Sequence, residues 1–267
     1  MLLQEDIILQ LEKMGAPKDK IVIVHASLKA VGEVQGRAQG LLDALVKYFT
    51  AEGGVLCVPA HTWKNFYSGK EYALDETCTK TCIGTLGDVA VADPRSLRTS
   101  GNPTHSLSLF GKKDKIEKLA RLEEQVNTPT SPLGCYGKII EEGFVLLIGV
   151  GQDKNTTMHC VEEMMSIPNR LKNQPAKMKI LTKDKTVKEK EFYYMYTEGD
   201  IDVSLRFPKY EIAFRKQGAI VDGMIGNAKV QLCNAQTIKR VMFEINKKSK
   251  GAELLCDDIP LSPAWYK

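Results

Sequence analysis

From Phe144 to Val150 the chain reads FVLLIGV, without one polar side chain, before turning polar at GQDKNTT. The run is far short of the roughly 20 apolar residues that cross a bilayer. Its length suits a strand buried on both faces, and such strands belong to sheets that carry helices on each side. That requirement places the chain among α/β folds before any other residue is weighed.

The neighbouring segments agree. IVIVHASL opens with a second apolar run, and GVLCVPAHTW, stopped near Pro59, supplies a third. Between them AQGLLDALVKYFTAEGG spaces Leu41, Leu42, Leu45, Val46 and Phe49 along one helical face and ends at Gly53 and Gly54. A strand, a helix and a strand in that order predict parallel pairing. GTLGDVAVADP reads as a helix, SLSLF as a short strand and GKKDKIEKLARLEEQV as an exposed helix. MKILTKDKTVKEKEFYY alternates on both arms and predicts a hairpin turning at Lys183, Asp184 and Lys185. RFPKYEIAFRKQG predicts a helix, and a strand pair and a last helix follow it. With no linker or internal repeat, the expectation is one α/β domain over residues 1–267. Its central sheet should be largely parallel or mixed and flanked by helices, with a β-hairpin insertion.

Composition narrows the function. With 43% hydrophobic residues and only 21 Gly and 11 Pro, the 267-residue chain has material for a substantial core. Its 37 basic and 33 acidic residues leave +4, too weak a field to favour nucleic acid or a membrane surface. The lysine clusters KKDKIEK, KMKILTKDKTVKEKE and NKKSK carry acids and few aromatics, so they read as solvated faces. The N-terminus fits an amphipathic helix closed by Gly15 and Pro17 better than a signal peptide. Seven cysteines in no framework spacing suit a reduced cytosol, which makes a cytoplasmic location the expectation. Cys78 and Cys82 lack a second pair with zinc-ligand spacing.

Four histidines are present. His25, His61 and His159 fall at or just past the C-terminal ends of predicted strands, the edge where open α/β sheets bind ligands. His105 precedes a strand instead. No His-x-His or His-x-x-x-His spacing occurs, so no metal site is expected. In NTTMHCVEEM, residues 155–164, His159 lies in the first turn of a predicted helix, with Asn155, Thr156 or Thr157 available as its cap. The helix N-terminus disfavours a charged imidazole, and Glu162, three residues on, shares the face and can orient the ring or attract a cation. Glu163 shares part of that face. Cys160 diverges by about 100° and reads as a buried thiol. Ser27, two residues after His25, is a conceivable serine partner without a nucleophile elbow. GVG at 149–151 lacks the third glycine of a dinucleotide fingerprint, and no phosphate-loop motif occurs. The residues alone lead to an α/β enzyme with a histidine base.

VHASLKAVGEVQG, AEGGVLCVPAHTW, SGNPTHSLSLFGK, TPTSPLGCYGKI, LLIGVGQDKNTTMHCVEE and DGMIGNAKVQL, in this order from residue 21 to about residue 232, resemble the aminoglycoside 3-N-acetyltransferase family. The resemblance implies a single-domain α/β fold and acetyl-coenzyme A as donor. It also implies transfer to an amine, typically the 3-amino group of a 2-deoxystreptamine antibiotic. His159 matches the family's catalytic base and Glu162 the acid that follows it. Ser27, Leu28, Lys29, Ala30, Val31 and Gly32 match the segment that meets coenzyme A, and Ser100 a polar position along the pantetheine arm. His61, Trp63, Asp75 and Glu163 are the candidate acceptor-binding residues. Lys29 and Arg37 are expected on the anionic donor, and Glu76, Glu198, Asp200 and Asp202 join the acids available to a cationic acceptor. Asn102 and Ala60 depart from the family pattern, in which histidine and threonine are expected. Transfer to another amine-bearing metabolite and a non-catalytic coenzyme A-binding relative are the alternatives.

Overall fold

The computed structural model describes residues 1–199 and 201–267; Asp200, one of the expected acceptor acids, lies outside the described residues. In chain order the elements are α1 (Gln4–Lys13), β1 (Ile21–Ala26), α2 (Leu28–Val31), α3 (Arg37–Phe49), β2 (Val55–Pro59), α4 (Trp63–Tyr67) and β3 (Leu74–Asp75). They continue with α5 (Thr85–Ala92), β4 (Leu97–Arg98), β5 (Leu107–Phe110), α6 (Lys113–Glu124), α7 (Cys135–Glu142), β6 (Phe144–Ile148) and α8 (Thr157–Met164). The last are β7 (Ala176–Leu181), β8 (Val187–Phe192), α9 (Glu211–Lys216), β9 (Ile220–Ile225), β10 (Ala228–Asn234) and α10 (Ala235–Lys248).

Seven strands form one mixed sheet in the order β4-β5-β2-β1-β6-β10-β9. Strand β1 runs parallel to β2 and to β6, and every other pairing in this sheet is antiparallel. The unbroken apolar runs are explained by burial on both faces. Val22 and Val24 of β1 and Leu146 and Ile148 of β6 face a core completed by α1, α3 and α5. Ile23, Val145 and Leu147 face the opposite core, filled by α7, α8, α9 and α10. In α6 only Ile116, Leu119 and Glu123 are buried, while Lys113, Glu117 and Arg121 pair along the solvated side.

The expected hairpin is present as β7 and β8, with Lys185 at φ +65° in its turn. It is not a free insertion. Leu74 and Asp75 pair in parallel with β7, giving a second, three-stranded sheet. Lys190 of β8 ties that sheet to the loop after β4 and the end of α6 by donating to the Gly101 and Glu124 carbonyls. The segment read as one helix from Arg206 onward starts instead as a 3₁₀ helix, Val203–Tyr210, and becomes α9 only at Glu211. Pro208 has no N–H for an α-helical bond, which favours the tighter, short-range winding.

Two contacts brace the segment that follows β1. Gly149, just after β6, has φ +64°, and a Cβ there would come within 2.4 Å of the Ala30 Cβ. At the tip of the β9–β10 hairpin, the Asn227 amide donates to the Val31 carbonyl at 3.0 Å and the Gly226 amide to Gln10 Oε1 at 3.0 Å.

Candidate active site

The parallel strands β2, β1 and β6 end at one edge of the sheet, where a cavity of about 580 Å³ opens. All four histidines of the chain line it. His25 is near the end of β1, His61 follows β2, and His159 stands on α8 beyond β6. His105 arrives by the opposite route. Strand β5 is antiparallel to β2, with Leu107 opposite Pro59, so the residues before β5 lie at the edge where β2 ends.

His159 and Glu162 meet as their spacing requires. His159 Nδ1 is 2.9 Å from Glu162 Oε2, with side chains 15% and 3% exposed. A carboxylate only accepts, so Nδ1 is the donor in this contact, and in the neutral ring the lone pair then lies at Nε2. Among the described residues Nε2 has no hydrogen-bond partner and is not enclosed by protein. The ring lies against Phe207, with centroids 4.7 Å apart. The second oxygen of Glu162 accepts from Arg170 Nε at 2.5 Å.

The helix that carries His159 is not capped as expected. Thr156 is already helical, at φ −57° and ψ −24°, and makes no side-chain cap. Thr157 Oγ1 donates to Asn155 Oδ1, and Asn155 Nδ2 donates to Gln152 Oε1, so these polar groups satisfy one another. The Met158 and His159 amides bond to the Asn155 and Thr156 carbonyls instead.

The other three histidines are of a different kind. Burial pushes His25 down to about 4 and encloses its Nε2 without a partner. Burial, then repulsion from His159, takes His105 to about 3. His61 is held well below its ordinary value by burial, with the other three histidines adding to the effect. Its Nε2 meets the Tyr136 hydroxyl at 2.9 Å, and its ring lies 4.5 Å from that of His105. Cys160 is buried with its thiol pushed up by burial, which makes it an inert core group. Ser27 does not pair with His25, because β1 ends at Ala26 and Ser27 Oγ accepts from the Ala30 amide.

Several expected site residues stand elsewhere. Glu163 turns away from the cavity and accepts from Thr128 Oγ1 at 2.6 Å and the Thr130 amide at 3.1 Å; consecutive helical positions diverge by about 100°. Asp75 is used within its own turn, accepting from the Thr77 amide and hydroxyl. Ser100 donates to Glu124 Oε1 and is not part of the cavity wall. Leu28, Ala30 and Val31 form α2 with Lys29, whose side chain is exposed, and Gly32 closes that turn; the segment lies just past Ala26, which does line the wall. His61 and Trp63 are in the wall. Asn102 and Ala60 are fully buried loop-formers: Asn102 bonds the Pro129 carbonyl and His105 amide, and the Ala60 carbonyl accepts from Arg98 and Ser106. The wall also contains residues that sequence reasoning missed, Tyr67, Lys154, Arg170, Tyr196 and Phe207. For Arg170 a signal existed in the Pro168–Asn169 dipeptide, which marks a turn able to bring the chain back under α8. Among the described residues, no group of three or more His, Cys, Asp or Glu side chains is arranged to hold a metal ion, and no helix is long and apolar enough to cross a membrane.

Comparison with known proteins gives this arrangement a lineage. The chain is 26% identical over 235 residues to aminoglycoside N(3)-acetyltransferase IV of Salmonella sp., covering 87% of this chain and 83% of that one. It is 29% identical over 171 residues to the SPbeta prophage-derived aminoglycoside N(3')-acetyltransferase-like protein YokD of Bacillus subtilis (strain 168), spanning 57% of this chain and 61% of the relative's length. The fold matches that of AAC-IIIb in its binary structure with CoASH, with TM-score 0.74, 20% identity and coverage of 92% and 97%. It also matches a histidine-to-alanine variant of AAC(3)-IVa in complex with a gentamicin, with TM-score 0.71, 21% identity and coverage of 93% and 90%. The model of the aminoglycoside 3-N-acetyltransferase family spans residues 23–246, and the chain belongs to that family of acyltransferases.

Proposed function

We propose that this protein transfers the acetyl group of acetyl-coenzyme A to an amino group of an aminoglycoside, the 3-amino group of its 2-deoxystreptamine ring, with His159 as general base. The observation that carries the reading is the His159 ring, bonded through Nδ1 to Glu162 and open to the cavity through Nε2. Family membership and the substrates named for the relatives support it.

An ammonium has no lone pair, so the acceptor must lose a proton before it attacks. His159 Nε2 takes that proton, directly or through one water, for about 10²–10⁴-fold in rate. That proton passes to solvent; the freed nitrogen bonds to the thioester carbonyl carbon and gives a second proton to His159, and as the carbon–sulfur bond breaks the imidazolium delivers that proton to the departing thiolate. Holding both substrates in one cavity supplies much of the remaining acceleration. The inert thiol of Cys160 agrees with direct attack, without an acyl-enzyme. Segment 27–32, at the end of β1 beside the cavity, is the proposed cradle for the coenzyme. Trp63, His61 and Asp202 are proposed to meet the acceptor from the wall.

One observation favours a second reading, transfer to a less highly charged amine-bearing metabolite. Among the described wall residues, Asp153 is paired with Lys154 at 3.0 Å, and Asp202 accepts from the Ser204 amide and hydroxyl. Of these two wall carboxylates only Asp202 has no cation beside it among the described residues, which is little negative charge for a polycation. Release of free thiol from acetyl-coenzyme A separates the two, measured with kanamycin, gentamicin and neomycin against a panel of amino sugars and nucleotide-linked amines. Turnover with the drugs is expected; turnover confined to the metabolites overturns the first reading. His159→Ala should abolish acetylation and leave coenzyme A binding unchanged, and an active variant would move the base elsewhere, to His61 first.

A further inference from the structure

Six residues past α8 the chain has doubled back. Ser166 and Asn169 take left-handed backbone angles, φ 52° and 59°, and the turn delivers the Arg170 side chain to Glu162 with only 7% exposure. Its guanidinium is saturated on three sides. Nε donates to Glu162 Oε1 at 2.5 Å, Nη1 to the Asn169 carbonyl at 3.1 Å, and Nη2 to Glu253 Oε1 at 2.9 Å. Glu253 lies in the segment after α10, beyond the residues that the family model matches, and its Oε1 is fixed in turn by the Leu255 amide at 2.8 Å. Tyr210 lies within the field of Glu162, Arg170 and Glu253, and Glu163, His61 and His105 within that of His159; none of the four hydrogen-bonds to Glu162 or Arg170 among the described residues.

We propose that Arg170 is a positioning residue for the acetyl transfer: anchored by Glu253, it keeps Glu162 a hydrogen-bond acceptor and thereby fixes which nitrogen of His159 carries the lone pair. This rests on His159 acting as the base. Glu162 is 3% exposed and gives one oxygen to His159 and the other to Arg170. A carboxyl so buried, stripped of its cation, takes up a proton. It then presents a hydroxyl to His159 Nδ1, the imidazole answers with its lone pair there, and its hydrogen moves to Nε2 on the cavity side. Every heavy atom stays in place while the base is lost. A lysine at 170 supplies charge but not the planar fork that reaches Glu162 and Glu253 together.

The test reads the tautomer itself. In ¹⁵N-histidine-labelled protein only four imidazoles contribute, and His159→Ala identifies the signal of interest. The wild-type ring should be protonated at Nδ1. In Arg170→Gln the hydrogen should move to Nε2, and kcat with acetyl-coenzyme A and gentamicin should fall about 100-fold while KM for acetyl-coenzyme A is held. Arg170→Lys should recover part of the loss, and Glu253→Gln should lower kcat about tenfold with a partial tautomer change. An Arg170→Gln protein that melts normally, keeps Nδ1–H and turns over like wild type overturns the proposal. If Arg170→Gln does not fold, Glu253→Gln decides by the same two measurements, and an unchanged tautomer and kcat overturns it. An active His159→Ala variant defeats the base assignment instead. If gentamicin is not acetylated, the tautomer of Arg170→Gln decides the matter without an acceptor.

Discussion

At the inner end of the cavity, His25, His61, His105 and His159 stand where strands end or begin, and three of them are held uncharged by burial. At its mouth, Trp63 and Tyr67 on the five-residue α4 face Met195 and Tyr196, and Tyr67 is 52% exposed. The inner groups stand on, or directly beside, strands paired on both sides, and His159 on α8. The outer ones are fixed by side chains: Tyr67 OH donates to the Met195 carbonyl at 2.5 Å, and Lys172 Nζ sits 3.7 Å from the Tyr196 ring centroid. Moving a proton demands one geometry, and rigid elements supply it more closely than loops do. Accepting amines of varied outline demands surfaces that shift. On the proposed transfer the two ends of one cavity divide the work, and each end should fail in its own way.

The largest effect expected is on acid stability, and it belongs to the inner end. His25 and His105 titrate near 4 and 3 in the fold, against an ordinary 6.5. Below about 6.5 the unfolded chain binds protons that the folded one refuses, so stability falls as pH falls. The loss is about 1.4 kcal/mol per pH unit for each ring until the folded values are reached. Denaturant unfolding from pH 7 to pH 4 measures it, and a flat profile would mean that the inner histidines are not shielded. Next, Glu162→Gln leaves Arg170 with Glu253 as its one carboxylate partner among the described residues, and kcat should fall about 100-fold with acceptor KM unchanged. A rise in acceptor KM alone would erase the division. Gly149→Ala should follow, because its methyl meets Ala30 and its backbone is left-handed. It should cost about 1–3 kcal/mol in thermal unfolding and raise KM for acetyl-coenzyme A about tenfold. The smallest change is expected from Trp63→Ala at the mouth, a rise of about threefold to tenfold in acceptor KM with kcat intact. A drop in kcat there would give the mouth a share in the chemistry.

Much of this was legible in the chain, wherever local pattern decides the outcome. FVLLI reads as a strand buried twice over because burial on both faces leaves no polar position. His159 and Glu162 meet because three residues along a helix is a single face. Partners remote in sequence leave no such mark. Leu74 and Asp75 are a strand only because Ile180 and Leu181 pair with them. His105 joins the other histidines through the direction of β5, which spacing does not encode. The cap at α8 failed for a related reason, since Asn155 and Thr157 have other oxygens and amides within reach. Glu163 differs from Glu162 by one step in sequence, yet that step points it at Thr128 and Thr130. Glu253 reaches Arg170 across 83 residues, and no motif announces it.

The segment after β1 is wedged between Gly149 on one side and the Gly226–Asn227 hairpin tip on the other. Mutational drift there has little room, since a single methyl already collides. The small sheet, anchored through Lys190 to the loop after β4 and the end of α6, leaves its β7–β8 turn at Lys183 to Lys185 exposed to solvent. The segment proposed to cradle the coenzyme is thus hemmed in, while the exposed turn is free to lengthen or change character.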